Sequence, residues 1–243
     1  MKLGILSTLW HRPQLTELFL DRLEHLKEEL DCVPVVVGTE DMFKSDCEDR
    51  GITYLDFTNR PLGRKWNHGI RAFKDLDVTH IMILGSDDFV SDDFIRFQME
   101  FSKDKDFTGC KDLYMFGANT KRRGFGQLFY FRYKGFLVGP GRVYSKRIVE
   151  LMNYTPWNVN RNAGLDGSIT KSVRLLGGTV KRGSFLMLDE GLFMTDIKSL
   201  VNISGIPGGA KPIEDNFEEL LKQHLPEKEA TNMIAYLKTT NAL

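Results

Sequence analysis

Two short runs with hardly a polar side chain, residues 33–37 (VPVVV) and 80–84 (HIMIL), constrain the fold of this 243-residue chain more than any other feature. Strands this uniformly apolar are covered on both faces, as parallel strands are in α/β proteins. The surrounding rhythm agrees. A β-prone run at 2–7 meets Pro13, which suits the first turn of a helix, and Leu15, Leu18, Phe19, Leu23, Leu26 and Leu30 follow at helical spacing. Residues 52–57 read as a third strand and 62–73 as a helix leading to the strand at 80. Alternation of this kind gives right-handed crossovers and a Rossmann-like, mostly parallel central sheet with helices on both faces. Ligands of such sheets sit beyond the carboxyl ends of the strands. The polar residues that follow each strand are therefore where chemistry is expected.

The pattern changes after residue 84. Stretches 113–116 and 128–138 (LFYFRYKGFLV) are β-prone, 145–152 and 165–176 read as helices, and a strand is expected near 185–188. A Gly- and Pro-rich loop at 205–212 precedes two expected surface helices, 216–225 and 227–237. This divides the chain into a domain at 1–204, in two parts at 1–90 and 91–204, and a C-terminal loop and helical extension at 205–243.

Lys plus Arg and Asp plus Glu number 33 each. With no net field to recruit phosphate polymers, no nucleic-acid partner is expected. Cys32, Cys47 and Cys110 form no CxxC pair and fit free thiols in a reducing compartment. The opening apolar run is too short for a signal peptide, and no stretch approaches the ~18 apolar residues of a membrane span. A cytoplasmic protein with no transmembrane segment is the expectation.

The fourth strand runs into Gly85-Ser86-Asp87-Asp88-Phe89, and a second copy of the acidic pair follows at Ser91-Asp92-Asp93-Phe94. In the second copy Ser91 reads as a helix N-cap, with Asp92 and Asp93 in the first turn, where the helix dipole favours acids. In the first, two carboxylates at a strand end are costly unless a cation lies between them, and Mg²⁺ or Mn²⁺ holding a diphosphate suits that need.

The stretch IMILGSDDFVSDDFI resembles the strand and acidic motif of family 2 glycosyltransferases of GT-A fold, where acids bind the donor ribose and the metal on the diphosphate. Many members carry D-x-D-D; here Gly85 takes the first place. The resemblance implies Asp88 as metal ligand, and Asp87 as ribose contact and second ligand. Ser7-Thr8-Leu9-Trp10-His11-Arg12-Pro13 is similar to the family's nucleobase-contacting turn, with His11 in place of the usual asparagine, which makes Thr8 and Arg12 donor-binding candidates. A base-reading acid is implied after the second strand, at Glu40 or Asp41. Gly63-Arg64-Lys65-Trp66-Asn67-His68-Gly69 resembles the helix whose Asn-x-Gly lies near the donor, implying roles for Asn67 and for Arg64 or Lys65. The donor-binding set that the resemblance implies is Thr8, Arg12, Glu40, Lys65, Asn67 and Asp87, which would make residues 1–90 the nucleotide-binding half and 91–204 the acceptor half of a catalytic domain.

Gly164-Leu165-Asp166-Gly167 resembles the acidic start of the family helix that supplies the general base of inverting members; Leu165 stands where a glutamate is common, and Asp166 keeps the aspartate. A carboxylate in reach of an acceptor hydroxyl is what that chemistry requires. Gly139-Pro140-Gly141-Arg142 is similar to the acceptor-side loop. The aromatics Phe129, Tyr130, Phe131, Tyr133 and Trp157 suit sugar stacking or core, and Asp196-Ile197-Lys198 reads as part of a closing lid. The implied activity is metal-dependent transfer of a sugar, of hexosyl type, from a nucleoside-diphosphate sugar to a saccharide or other hydroxyl acceptor, with inversion. The rival readings are a sugar-phosphate nucleotidyltransferase, although little glycine follows the first strand, and a non-catalytic nucleotide-sugar-binding domain.

Overall fold

In a computed structural model, the chain is described at residues 1–119, 124–135, 137–199, 202 and 205–240. The boundary expected at 204, residue 136 of the aromatic stretch and residues 241–243 lie outside these.

The first sheet is built from β1 (Leu3–Thr8), β2 (Val33–Gly38), β3 (Thr53–Asp56), β4 (His80–Ile83), β6 (Phe107–Thr108) and β9 (Arg142–Ser145), in the order β3-β2-β1-β4-β9-β6. The first four strands are mutually parallel, and β9 runs antiparallel to both β4 and β6. Because β1 has β2 on one side and β4 on the other, the order of connection reverses beside it. Clefts form at such reversals in α/β sheets.

Helices α1 (Pro13–Leu30) and α2 (Met42–Asp49) cover one face, and α3 (Leu62–Ala72), α5 (Lys146–Leu151) and α6 (Leu165–Leu175) the other. Strand alternation decides which side chain meets which layer. Ile5, Val36 and Met82 pack with Leu15, Phe19 and Leu23 of α1, whereas Leu6, Val35, Val37 and Ile81 pack with Trp66 and Ile70 of α3. At Gly69 a Cβ would lie 2.6 Å from both Leu6 Cδ1 and Val37 Cγ2, so glycine lets α3 rest directly on the sheet.

A second sheet, order β11-β8-β7-β10-β5, combines β5 (Asp88–Val90), β7 (Asp112–Asn119), β8 (Leu128–Arg132), β10 (Met194–Ser199) and β11 (Lys211–Pro212). Its antiparallel pairs outnumber the one parallel pair, β10 with β7. Helix α4 (Asp92–Phe101) begins as expected, with Ser91 Oγ accepting from Phe94 N at 3.1 Å.

Several expectations need correction. The aromatic stretch forms a strand only to Arg132. Residues 185–188 are not a strand: Phe185 makes an isolated bridge to Cys110, and Asp112 Oδ1 and Oδ2 accept from Met187 N and Leu188 N. The strand lies further on, at β10, so Asp196 and Lys198 belong to a buried strand between β5 and β7 and not to a lid. The final helices, α7 (Phe217–His224) and α8 (Glu227–Thr239), are anchored through Phe217, Leu221, Ala230, Met233 and Leu237 in the core that α1 shares. Across that seam the buried Arg22 donates Nε to Val90 O at 2.9 Å and pairs with Asp92 and Glu229 at 2.5 and 3.3 Å.

The three thiols are free and buried, and burial pushes those of Cys32 and Cys47 up to about 12. No helix among the described residues is long and apolar enough to cross a membrane.

One buried carboxylate ties the β6–β9 corner together. Asp106 accepts from Ser145 Oγ at 2.8 Å, from Arg147 Nε at 3.0 Å and from Lys181 N at 2.9 Å. Burial opposes its charge, but the Arg147 bond, the Lys181 amide and the Ser145 hydroxyl outweigh it and hold the carboxyl below its ordinary value. An acid depressed on folding stabilises above its unfolded pKa and loses that contribution as pH falls through the folded one. Asp106→Asn is thus expected to cost about 1.5–3 kcal/mol at pH 7 by urea unfolding, the range for hydrogen bonds to charged groups, with the gap to wild type closing below pH ~4. A gap that is constant with pH would assign the effect to packing.

Candidate functional site

The carboxyl ends of β1, β2 and β4 lie side by side, and each delivers polar groups to the same rim. After β4 the chain turns sharply, with Asp88 N donating to Gly85 O at 3.1 Å and Gly85 N to Asp88 Oδ2 at 2.5 Å. A Cβ at Gly85 would fall 2.7 Å from Asp87 Oδ1 and 2.8 Å from Asp88 Oδ2. A side chain in the first place of the D-x-D-D pattern would have to displace both carboxylates.

A third acid comes instead from β10. In the antiparallel pairing of β10 with β5, Asp196 stands directly opposite Asp88, and Asp87 O accepts from Ile197 N at 2.8 Å. One carboxylate oxygen from each of Asp87, Asp88 and Asp196 lies within 4.8 Å of the other two. Like charges opposite one another in a sheet are destabilising, and all three are taken largely from water. Burial, then the charges of Asp196 and Asp87, raise Asp88 well above the carboxylate range. Burial also lifts Asp196, to about 6, against the pull of Lys198. Asp87 alone is held low, because Arg12 and Lys198 overcome the cost of its burial.

Arg12 is supplied by the β1–α1 turn, where His11 and Arg12 both adopt left-handed backbone, φ 56° and 58°. The turn sends the guanidinium across the rim to Asp87 Oδ2 at 3.0 Å and Ser86 Oγ at 2.8 Å. Asn202 also donates to Asp87. Lys198, two residues beyond Asp196 and on the same strand face, forms an ion pair with it.

The other candidates separate into distinct groups. Thr8 ends β1, opposite Val37 in register. Glu40 Oε1 accepts from His11 N at 3.1 Å, while its Oε2 is buried without a partner among the described residues; Asp41 is exposed. Lys65 is fully buried, donates to Leu9 O at 2.6 Å and Asn59 Oδ1 at 3.1 Å, and is lowered by burial to about 8. It braces the strand end from beneath, and Arg64 is exposed. Asn67 is 1% exposed, donating to Trp157 O at 2.7 Å and accepting from Trp157 N at 3.1 Å, so the structure makes it a tie between α3 and that loop. Phe129 and Trp157 are core, and Tyr130 Oη donates to Asp112.

Asp166 lies in the first turn of α6, with its side chain 67% exposed. Arg142 opens β9 opposite Ile83, the last residue of β4, and its Nη1 donates to Asp166 O at 3.1 Å and lies 3.7 Å from Asp166 Oδ1. Gly139 also lies against this carboxylate, where a Cβ would fall 2.7 Å from Asp166 Oδ2. The start of α6 and the acidic turn are therefore linked through one strand, at the same end of the sheet.

The triad fits a hard divalent cation. Its donors are all carboxylate oxygens, as Mg²⁺ and Mn²⁺ prefer, and Asp196 Oδ1, on a side chain 9% exposed, is buried with no partner among the described residues. A buried acceptor left unmatched costs about 1–3 kcal/mol, so a site that keeps one has a use for it. The sequence signal that marks Asp196 is the alternation in MTDIKS, which puts Asp196 and Lys198 on one face of an otherwise buried strand.

No protein-family model matches the chain, and no curated protein is similar to it in sequence. Solved structures share its fold. S. aureus TarS 1–349 in complex with UDP superposes with a TM-score of 0.61 at 10% identity over 82% of this chain. The mannosyltransferase PcManGT from Pyrobaculum calidifontis, in complex with GDP-Man and Mn²⁺, gives 0.56 at 11% identity over 99% of this chain and 73% of its own. The chain has a GT-A-type fold. It spans 61% of the TarS fragment and 43% of a longer TarS chain, which superposes with a TM-score of 0.58 at 12% identity.

Proposed function

We propose that this chain is a metal-dependent glycosyltransferase moving a sugar, of hexosyl type, from a nucleoside-diphosphate sugar to an acceptor hydroxyl with inversion. The observation carrying the proposal is the largely buried triad Asp87, Asp88 and Asp196 at the carboxyl end of the parallel strands of a GT-A-type fold. PcManGT, of like fold, was solved with GDP-Man and Mn²⁺, and TarS with UDP.

In this reading Asp88 and Asp196 hold the cation, with Asp87 beside them. When bound, the cation neutralises charge that builds on the departing diphosphate. Arg12 stays paired to Asp87 and sets the rim on which the donor lies. Thr8 and the free Oε2 of Glu40 face the base and ribose side, and Lys65 keeps the strand end in place from below. Asp166 takes the proton of the acceptor hydroxyl on a carboxylate oxygen as that hydroxyl attacks. Arg142 fixes the first turn of α6 through the Asp166 carbonyl, leaving the carboxylate to solvent and acceptor. Holding acceptor and donor in line supplies much of the remaining acceleration.

The test is release of nucleoside diphosphate from a panel of UDP- and GDP-sugars, with MnCl₂, with MgCl₂ and with EDTA. Release that needs a divalent ion is the expected result. Pyrophosphate release from a nucleoside triphosphate and a sugar phosphate would instead identify a nucleotidyltransferase. Binding without turnover across all acceptors would reduce the protein to a nucleotide-sugar-binding domain.

A further inference from the structure

Three carboxylates share the acidic site with two cations, Arg12 and Lys198, and these two are not held alike. Arg12 is fastened by Ser86, Asp87 and Asn202 together. Among the described residues the Lys198 ammonium has a single hydrogen-bond partner, Asp196 Oδ2, and the side chain is only 6% exposed. Its four-carbon stem can rotate and its ammonium is a point charge, whereas a guanidinium gripped on several sides keeps one orientation. Asp196 is thus divided, with one oxygen on Lys198 and the other buried and unmatched.

Formal charges set the direction of the effect. With every group ionised, three acids against two bases leave one negative charge, and a divalent cation turns that into one positive charge. A diphosphate diester brings two negative charges and restores a single negative one. Lys198 faces the same carboxylates that the cation would take, so the two compete for Asp196.

We infer that Lys198 is a tethered counter-ion, paired with Asp196 while no divalent cation is bound and turning its ammonium to the donor's diphosphate oxygens once one is. This rests on the donor reading above and adds to it a phosphate-binding residue whose partner changes with metal. Lys198 then opposes metal entry on its own and favours metal and diphosphate together. Such coupling is reciprocal: diphosphate must tighten metal binding by the factor by which metal tightens diphosphate.

Mn²⁺ and inorganic pyrophosphate are the probes, titrated calorimetrically into the whole chain. For Lys198→Met, Mn²⁺ affinity is expected to rise roughly tenfold, while pyrophosphate affinity in saturating Mn²⁺ falls roughly tenfold, each about 1.4 kcal/mol. Opposite signs are the signature, because a lysine that only supports the strand would weaken both. Both affinities falling, or neither changing, overturns the inference. Wild-type protein that binds neither probe defeats the donor reading itself. Wild-type protein that binds both, with Lys198→Met unaltered, defeats only the role of Lys198. Should Lys198→Met fail to fold, wild-type protein carrying [¹³Cε]lysine decides by NMR, the signal absent from Lys198→Arg being that of Lys198. That signal must move on addition of MgCl₂ and again with pyrophosphate; a signal that stays fixed through both additions overturns the inference.

Discussion

Asp166→Asn is expected to retain donor binding and to lose turnover by about 10²–10⁴-fold, the range that a positioned general base contributes. The amide has nearly the volume of the acid but cannot take a proton. Asp166 stands largely in solvent at the start of α6, so folding is expected to be unaffected. Its nearest constraints are Arg142, which grips the backbone carbonyl, and Gly139, whose missing side chain leaves room for the carboxylate. The measurement is kcat for sugar transfer alongside the Kd for nucleoside diphosphate. Turnover near the wild-type rate would remove Asp166 from the role, and a parallel loss of diphosphate affinity would make it a binding residue instead.

The second large effect is expected at Asp88. Asp88→Asn should weaken Mn²⁺ binding by more than about 100-fold, since even partners that only orient a ligand are worth 10–100-fold. Diphosphate binding should then no longer respond to EDTA. The metal-free protein, by contrast, is expected to melt higher than wild type. Asp88 faces Asp196 across the strand pair and is raised well above the carboxylate range by burial and by its two acidic neighbours, so removing its charge relieves repulsion. Thermal unfolding with and without MnCl₂ reads both effects at once. A variant less stable without metal, yet still stabilised by Mn²⁺, contradicts the assignment.

Much of the first sheet and its neighbouring helices was legible because the signals are local. The apolar runs of β2 and β4, the heptad-like leucines of α1 and the serine before α4 each report a neighbourhood of a few residues, and the structure has all of them. Helix α2 leaves little periodic trace in the sequence because it buries only Phe43 and Cys47. β10 resembles a polar loop in sequence for a physical reason: it carries an acid and a base on one face, and only its strand partners show that face to be buried. Those partners, β5 and β7, are remote in sequence, and the third acid became visible only through pairing. The absent first acid of the motif and the presence of Asp196 are two sides of one arrangement, since the space a side chain at residue 85 would need is filled by Asp87 and Asp88.

Arg22 gives the C-terminal segment a bearing on the chemistry. Its guanidinium holds the carbonyl of Val90, two residues past Asp88, and is itself held from the far side by Glu229 of α8. A shortened version of the chain ending before α7 would strip the cover from α1 and leave a buried guanidinium half-matched behind the strand that bears Asp88, the proposed metal ligand. The tail is in effect a keystone set from behind, and a minimal fragment that preserves the acidic site has to keep it.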